Sequence, residues 1–88
     1  MKMERTLIVS RSDGLHARPA GALVKLMKPF ESDIQIKYKD KRINANSIVH
    51  VMQLALRRGE EIQVLISGAD AKQAFETLES FLEGRLLL

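Results

Sequence analysis

The sequence predicts an α+β fold in which one mostly antiparallel sheet is covered on one face by helices. Three observations support this prediction. Short segments of alternating apolar and polar residues are typical of half-buried strands, and other segments carry apolar residues at helical spacing. The segments follow one another in the order β-α-β-β-α-β-α. We expect all 88 residues, 1–88, to form a single domain with one modest core.

The first two predicted elements are a strand and a helix. Residues 6–10 (TLIVS) have the composition of a strand, and the turn sequence RSDG follows them. Apolar residues then recur at the i, i+3, i+4 and i+7 positions of one helical face, namely Ala20, Leu23, Val24 and Met27. Lys28-Pro29 should end this helix, because proline disfavours helical geometry in the residue before it.

A hairpin and a second helix are predicted next. Three apolar residues alternate with polar ones to form a strand, namely Ile34, Ile36 and Tyr38. The sequence KDK then turns the chain, and residues 42–45 return as the partner strand. Asn46-Ser47 provides N-cap chemistry for a helix expected over residues 48–56, which Gly59 should terminate.

The last part of the chain predicts a strand followed by a helix. Ile62, Val64 and Ile66 alternate with polar residues, and Gly68 ends the strand. Asp70, with Gln73 three residues later, resembles a capping box. The apolar face of the final helix should consist of Ala71, Ala74, Phe75, Leu78, Phe81 and Leu82. The three terminal leucines, Leu86–Leu88, could pack on this helix or form an exposed end.

Composition excludes several classes of protein. With 45% hydrophobic and 28% charged residues, the chain is not intrinsically disordered. It has no cysteine, which rules out disulfides and thiolate metal sites and agrees with a reducing compartment. The first ten residues do not form a signal peptide, and no apolar run could span a bilayer. We therefore expect a cytoplasmic protein without membrane insertion.

The charge of the chain narrows its possible partners. A net charge of +3 would attract phosphates, acidic proteins or nucleic acids. Three Phe, one Tyr and no Trp leave little surface for base stacking, so we expect no nucleic-acid partner. His16 and His50 lack a carboxylate partner at ligand spacing, and we predict neither a metal nor a cofactor. His50 is better interpreted as a surface residue.

The segment GLHARPAG, residues 14–21, has two interpretations. Gly14 and Pro19 are ordinary helix-start residues, and His16 and Arg18 beside them could be inert surface side chains. Alternatively, the unpaired N–H groups of the first helical turn and the guanidinium of Arg18 form an anion site. The positive helix end favours neutral imidazole at His16, whose free lone pair is nucleophilic. This second interpretation suits a histidine that is itself phosphorylated.

The sequence resembles the HPr family, the histidine-containing phosphocarrier proteins of the bacterial phosphoenolpyruvate-dependent sugar phosphotransferase system. The resemblance extends over the whole chain and includes GLHARPAG, the NSI of residues 46–48 and the SGAD of residues 67–70. It implies an open-faced sandwich of four antiparallel strands and three helices. It also implies that enzyme I phosphorylates Nδ1 of His16, that His16 passes the phosphoryl group to enzyme IIA domains, and that Arg18 assists both transfers.

Ser47 has a structural and a regulatory interpretation. As an N-cap it would stabilise the second helix by about 1 kcal/mol. In many relatives of the family, the matching serine is phosphorylated by the HPr kinase/phosphorylase, and the product acts with a transcriptional regulator. The kinase-associated pattern there is SIMGVMSL, whereas this chain reads SIVHVMQL, so Val49, His50 and Gln53 depart from it. The NANS of residues 44–47 also resembles the nitrogen-related members of the family.

The second predicted helix is apolar nearly all the way round, although a helix packed on one face needs only a stripe. It is therefore either fully buried or exposes an apolar patch for docking. The resemblance favours docking and implies the partner-contact residues Gly21, Ile48, Val49 and Met52.

Overall fold

The part of the chain that the structure describes folds into four strands and three helices in the predicted order. The computed structural model describes residues 1–12, 14 and 17–85, without the side chain of Ala17. The described elements are β1 (Lys2–Ile8), α1 (Ala17–Met27), β2 (Asp33–Tyr38), β3 (Lys41–Asn44), α2 (Ile48–Gln53), β4 (Glu61–Ser67) and α3 (Ala71–Leu82). None of the described helices is long and apolar enough to cross a membrane.

The strands form a single sheet in the order β1-β4-β2-β3, and every neighbouring pair is antiparallel. Strand β4 is central, with Ser67 opposite both Lys2 of β1 and Asp33 of β2. Because β4 comes late in the sequence, the sheet is complete only when residues far apart in the chain have paired. This topology confirms the predicted antiparallel sheet.

The helices cover one face of the sheet, as predicted. The alternating residues of β2 and β4 supply the sheet side of the core, with Ile34, Ile36, Ile62, Val64 and Ile66 all buried. The predicted stripes of α1 and α3 supply the helix side, and the described core also includes Val9, Ala45, Val51, Leu54 and Leu56. On the open face, polar side chains such as Glu4, Lys37 and Gln63 are exposed. Burial of this alternating pattern is the main stabilising term.

The first strand begins earlier than predicted. It covers Lys2–Ile8 and not residues 6–10. Because β1 is at the edge of the sheet, only Met3 and Leu7 are half-buried in it, so its polar start shows little alternation. Val9 is fully buried beyond the strand, where its N–H donates to the Glu60 carbonyl at 2.9 Å.

The second helix is shorter than predicted. It ends at Gln53, with Leu54 as its C-cap, and not near residue 56. Ala55 has a φ of +50°, which is outside the helical region and stops the helix. The prediction that Gly59 terminates α2 is therefore wrong. Gly59, with a φ of +92°, lies in the turn before β4, where its N–H donates to the Val9 carbonyl at 2.7 Å.

The capping box predicted at Asp70 is also wrong. Asp70 occupies the N-cap position of α3, but its side chain makes no capping hydrogen bond. Its carboxylate instead accepts the N–H of Glu31 at 2.9 Å, the N–H of Ser32 at 3.0 Å and the Ser32 hydroxyl. These bonds, led by the Ser32 hydroxyl and the Glu31 N–H, hold the pKa of Asp70 below its usual value. Asp70 thus connects two distant loops.

Candidate functional site

The candidate site lies at the start of α1. The helix begins at Ala17, the residue that follows His16 in the sequence, and its first turn contains no acidic residue. Arg18 is exposed in that turn, whereas Pro19 and Ala20 are buried. His16 itself, with Asp13 and Leu15, lies outside the described residues, so its role stays a prediction. The described part of the site therefore consists of a positive helix end and an exposed cation.

This arrangement is suited to an anion. The first N–H groups of a helix have no partner within the helix, and the helix dipole places partial positive charge there. Arg18 adds a permanent charge with several N–H donors arranged for phosphate oxygens. Among the described residues, Arg18 has no hydrogen bond or ion pair, so its guanidinium is available to a ligand.

Gly14 connects the site to the segment that follows α2. It is buried with a φ of +62°, and a Cβ there would lie 2.7 Å from the Leu56 carbonyl oxygen and 3.2 Å from the Arg57 Cα. Its N–H donates to the Arg11 carbonyl at 3.3 Å. The glycine is therefore required by both backbone conformation and close packing.

Arg11 holds the other side of this turn. Its guanidinium lies over the Phe81 ring, 4.1 Å from the centroid, and donates to the Phe81 carbonyl at 3.2 Å. Sequence reasoning did not assign a role to Arg11 or to the Gly14 contact with residues 56 and 57. A glycine ahead of a helix indicates a turn, but the partner of that turn is 42 residues away and leaves no local signal.

The structure places Ser47 at the predicted N-cap of α2. Its backbone is extended, with a φ of −120°, and its hydroxyl accepts the N–H of His50 at 3.3 Å. Ser47 is half-buried and His50 is exposed. The structural interpretation of Ser47 is confirmed by this hydrogen bond.

Exposed apolar side chains follow directly after Ser47. Ile48, Val49 and Met52 are 44%, 61% and 41% exposed, and we call these three residues the α2 patch. In contrast, Val51 and Leu54 are buried in the core. A fully buried α2 is thereby excluded, because the helix buries one side and exposes the other.

Gly21 is half-buried on α1, which packs against α2. Beyond its own helix, no described atom lies within 4 Å of the position that a Cβ would take. The surface at Gly21 is therefore open, whereas Gly14 is packed against backbone. Within the described ranges, no group of three or more His, Cys, Asp or Glu side chains could hold a metal ion.

The chain is similar to known proteins in both sequence and fold. Residues 3–84 match the family described as "PTS HPr component phosphorylation site". The chain is 44% identical to phosphocarrier protein HPr of Lysinibacillus sphaericus over 69 residues, which are 78% of each chain. It is 40% identical to phosphocarrier protein HPr of Xylella fastidiosa over 83 residues, which are 94% of this chain and 93% of the other. The crystal structure of phosphocarrier protein HPr from Bacillus anthracis superposes with a TM-score of 0.87 at 36% identity, covering 91% of this chain and 95% of the other.

Proposed function

Because this chain belongs to the HPr family of phosphocarrier proteins of the phosphotransferase system, we propose that it accepts a phosphoryl group on His16 from phosphorylated enzyme I. His16 then passes that group to enzyme IIA domains in sugar uptake. The protein acts in the cytoplasm as a covalent intermediate between partners, with no small substrate of its own.

The observation that carries the proposal is the start of α1 at the residue after His16. A phosphoryl group on that histidine is next in sequence to the unpaired N–H groups of the helix and to exposed Arg18. Arg18 and a few backbone donors give moderate stabilisation, which suits a group that must leave again.

The transfer itself requires only one nucleophilic atom on this chain. The Nδ1 lone pair of neutral His16 attacks the phosphorus, and an N–P bond forms while the bond from phosphorus to enzyme I breaks. The electron pair of the broken bond stays with enzyme I. Arg18 stabilises the charge that spreads over the phosphoryl oxygens during this displacement. The same displacement, with the acceptor's nucleophile attacking, transfers the group from His16 to enzyme IIA.

The α2 patch, with Gly21, forms the docking surface for enzyme I and enzyme IIA in this proposal. Its three apolar side chains are exposed, and Met52 is a flexible residue that suits contact with several partners. The open space at Gly21 lets a partner approach the backbone of α1.

Phosphorylation by enzyme I and phosphoenolpyruvate tests the proposal. The chain should gain one acid-labile, base-stable phosphate, and His16→Ala should abolish it. His50→Ala is the matched control, because it removes the other histidine, which is exposed and should leave labelling unchanged. Labelling that survives His16→Ala would show that another residue carries the phosphoryl group.

A second candidate function is a regulatory docking module controlled by phosphorylation of Ser47, including in a nitrogen-related branch. The position of Ser47 favours it, since Ser47 caps the helix that carries the α2 patch. A phosphate at a helix N-terminus is tolerated by the fold, and its charge next to apolar side chains would weaken docking. Here the HPr kinase/phosphorylase and a transcriptional regulator are the partners.

The chemistry of the phosphate distinguishes the two candidates. Incubation with ATP and an HPr kinase/phosphorylase should give acid-stable phosphate that Ser47→Ala removes and His16→Ala retains. If ATP adds no acid-stable phosphate while phosphoenolpyruvate labels His16, the protein is a phosphoryl carrier that is not regulated by phosphorylation of Ser47.

A further inference from the structure

The segment that leaves α2 is conformationally unusual. Ala55 has a φ of +50°, a left-handed conformation that costs a residue with a side chain about 1–2 kcal/mol. Strain of this kind persists where the surrounding structure requires it, and it clusters at functional sites. The turn at Ala55 directs the chain so that Leu56 is buried and Arg57 and Arg58 are exposed.

The backbone of this segment packs directly against the turn that precedes His16. The contact joins Gly14 to the Leu56 carbonyl and the Arg57 Cα, and it is too close for any side chain at Gly14. His16 follows Gly14 by two residues in the sequence, and two residues of extended chain span at most about 7 Å. Arg57 therefore belongs to the surroundings of the phosphoryl-transfer site, although it is about 40 residues away in sequence.

Arg57 and Arg58 have different surroundings. Arg58 lines a shallow cavity at the start of β4, together with Glu60 and Glu61. Arg57 does not line that cavity. Its carbonyl accepts the Glu60 N–H at 3.2 Å, but the Arg57 side chain makes no hydrogen bond or ion pair with any part of the chain that the structure describes.

We propose that Arg57 is a second catalytic cation of the phosphoryl-transfer site, which contacts the phosphoryl oxygens while the group moves onto His16. This inference rests on the proposed function. Arg18 reaches the site from α1 and Arg57 from the segment after α2, so the two guanidinium groups bind the oxygens from separate parts of the chain. Each donates N–H hydrogen bonds to oxygens that gain charge during transfer, and neither changes its own protonation.

Transfer kinetics with pre-phosphorylated enzyme I test the assignment. The rate constant at saturating concentration of this chain reports on the transfer step, and its concentration dependence gives an apparent KM. Arg57→Gln should lower the saturated rate constant by about tenfold, the size expected for loss of one charge-assisted hydrogen bond in a partly solvated site. Arg57→Lys should recover part of the loss, because it retains the charge without the planar donors.

Arg58→Gln is the matched control, since it removes the same charge at the next position, which is also exposed. It should change the saturated rate constant less than twofold, and thermal unfolding should give equal Tm values for both glutamine variants. Equal kinetics for the two variants, a rise in KM alone, or a Tm lowered only by Arg57→Gln would each overturn the assignment. If the wild-type chain accepts no phosphoryl group, the proposed function fails and the assignment fails with it.

Discussion

The two ends of β4 are connected to the rest of the chain in different ways. At its C-terminal end, Gly68 lies against Ser32, and the Asp70 carboxylate binds the loop before β2 through side-chain hydrogen bonds. At its N-terminal end, backbone contacts hold Gly14 and Gly59 in place. The cations there, Arg18 and Arg57, are exposed. Side-chain hydrogen bonds thus connect the loops at one end, whereas at the other the glycine backbone packs closely and Arg18 and Arg57 are exposed.

The largest effect should come from crowding the C-terminal end. In Gly68→Ala, the new Cβ would lie 2.7 Å from the Ser32 Cα, at a φ of +151° that alanine rarely adopts. Steric overlap and backbone strain together should lower the free energy of unfolding by about 2–5 kcal/mol. Urea denaturation followed by circular dichroism at pH 7 measures this loss.

Gly21→Ala is the control for that substitution, because it adds the same methyl group at an open helical position. It should raise the free energy of unfolding by about 0.5–1 kcal/mol through helix propensity. Equal losses for the two variants would show that the packing at Gly68 is unimportant and that the comparison between the two ends is wrong.

A smaller, pH-dependent effect should come from Asp70→Asn. In the wild type, two backbone N–H groups and the Ser32 hydroxyl donate to the Asp70 carboxylate. The asparagine side chain has an NH₂ group in place of one of these acceptor oxygens, so the variant should be less stable at pH 7. The pKa of Asp70 is lower in the folded protein than in the unfolded chain. The ionised carboxylate therefore stabilises the fold fully above the ordinary aspartate pKa of about 3.9. This stabilisation is lost as the pH falls through the pKa of Asp70 in the folded protein. Urea denaturation from pH 7 to pH 2 should show the two proteins converging in acid.

Asp40→Asn is the control for this titration. Asp40 is an exposed carboxylate in the turn between β2 and β3, so its variant should follow the wild-type stability at every pH. A difference between wild type and Asp70→Asn that stays constant from pH 7 to pH 2 would contradict a role for the ionised carboxylate.

The smallest effect on stability should come from the α2 patch. Val49 is 61% exposed, so Val49→Ser should change the free energy of unfolding by no more than about 0.5 kcal/mol. It should nevertheless raise the apparent KM for phosphorylation by enzyme I, since it removes an apolar side chain of the proposed docking surface. Ile8→Ser removes a similarly exposed apolar side chain, 53% exposed, from the open sheet face and should leave KM unchanged. If Val49→Ser and Ile8→Ser raise the KM equally, the α2 patch is not the docking surface.

Sequence patterns predicted the parts of the fold whose burial is local and periodic. The alternation in β2 and β4 and the stripes of α1 and α3 are visible because each buried position has exposed neighbours at a regular spacing. Strand β1 was misplaced because an edge strand buries few side chains. The end of α2 was misplaced because alanine is the best helix former, so nothing in the local sequence marks Ala55 as the residue with a positive φ that stops the helix.

The candidate site was predictable in part. Arg18 and the helix start stand next to each other in the sequence, and their chemistry follows from general properties of helix ends. The role of Asp70 was missed because its hydrogen-bond partners are 38 and 39 residues away, and a local capping motif gave a simpler explanation. The contact between Gly14 and Arg57 depends in the same way on tertiary structure.

The early end of α2 also limits the area of the proposed docking surface. A helix of six residues exposes three apolar side chains, so the α2 patch offers a partner little apolar area to bury. Interfaces at the small end of the range, below about 1,200 Å², form weak and transient complexes. Differences in affinity between related complexes arise mostly from differences in the dissociation rate. If the α2 patch is the docking surface, a short α2 favours brief residence on each partner, and a relay between a donor and several acceptors runs faster when each complex separates soon after transfer.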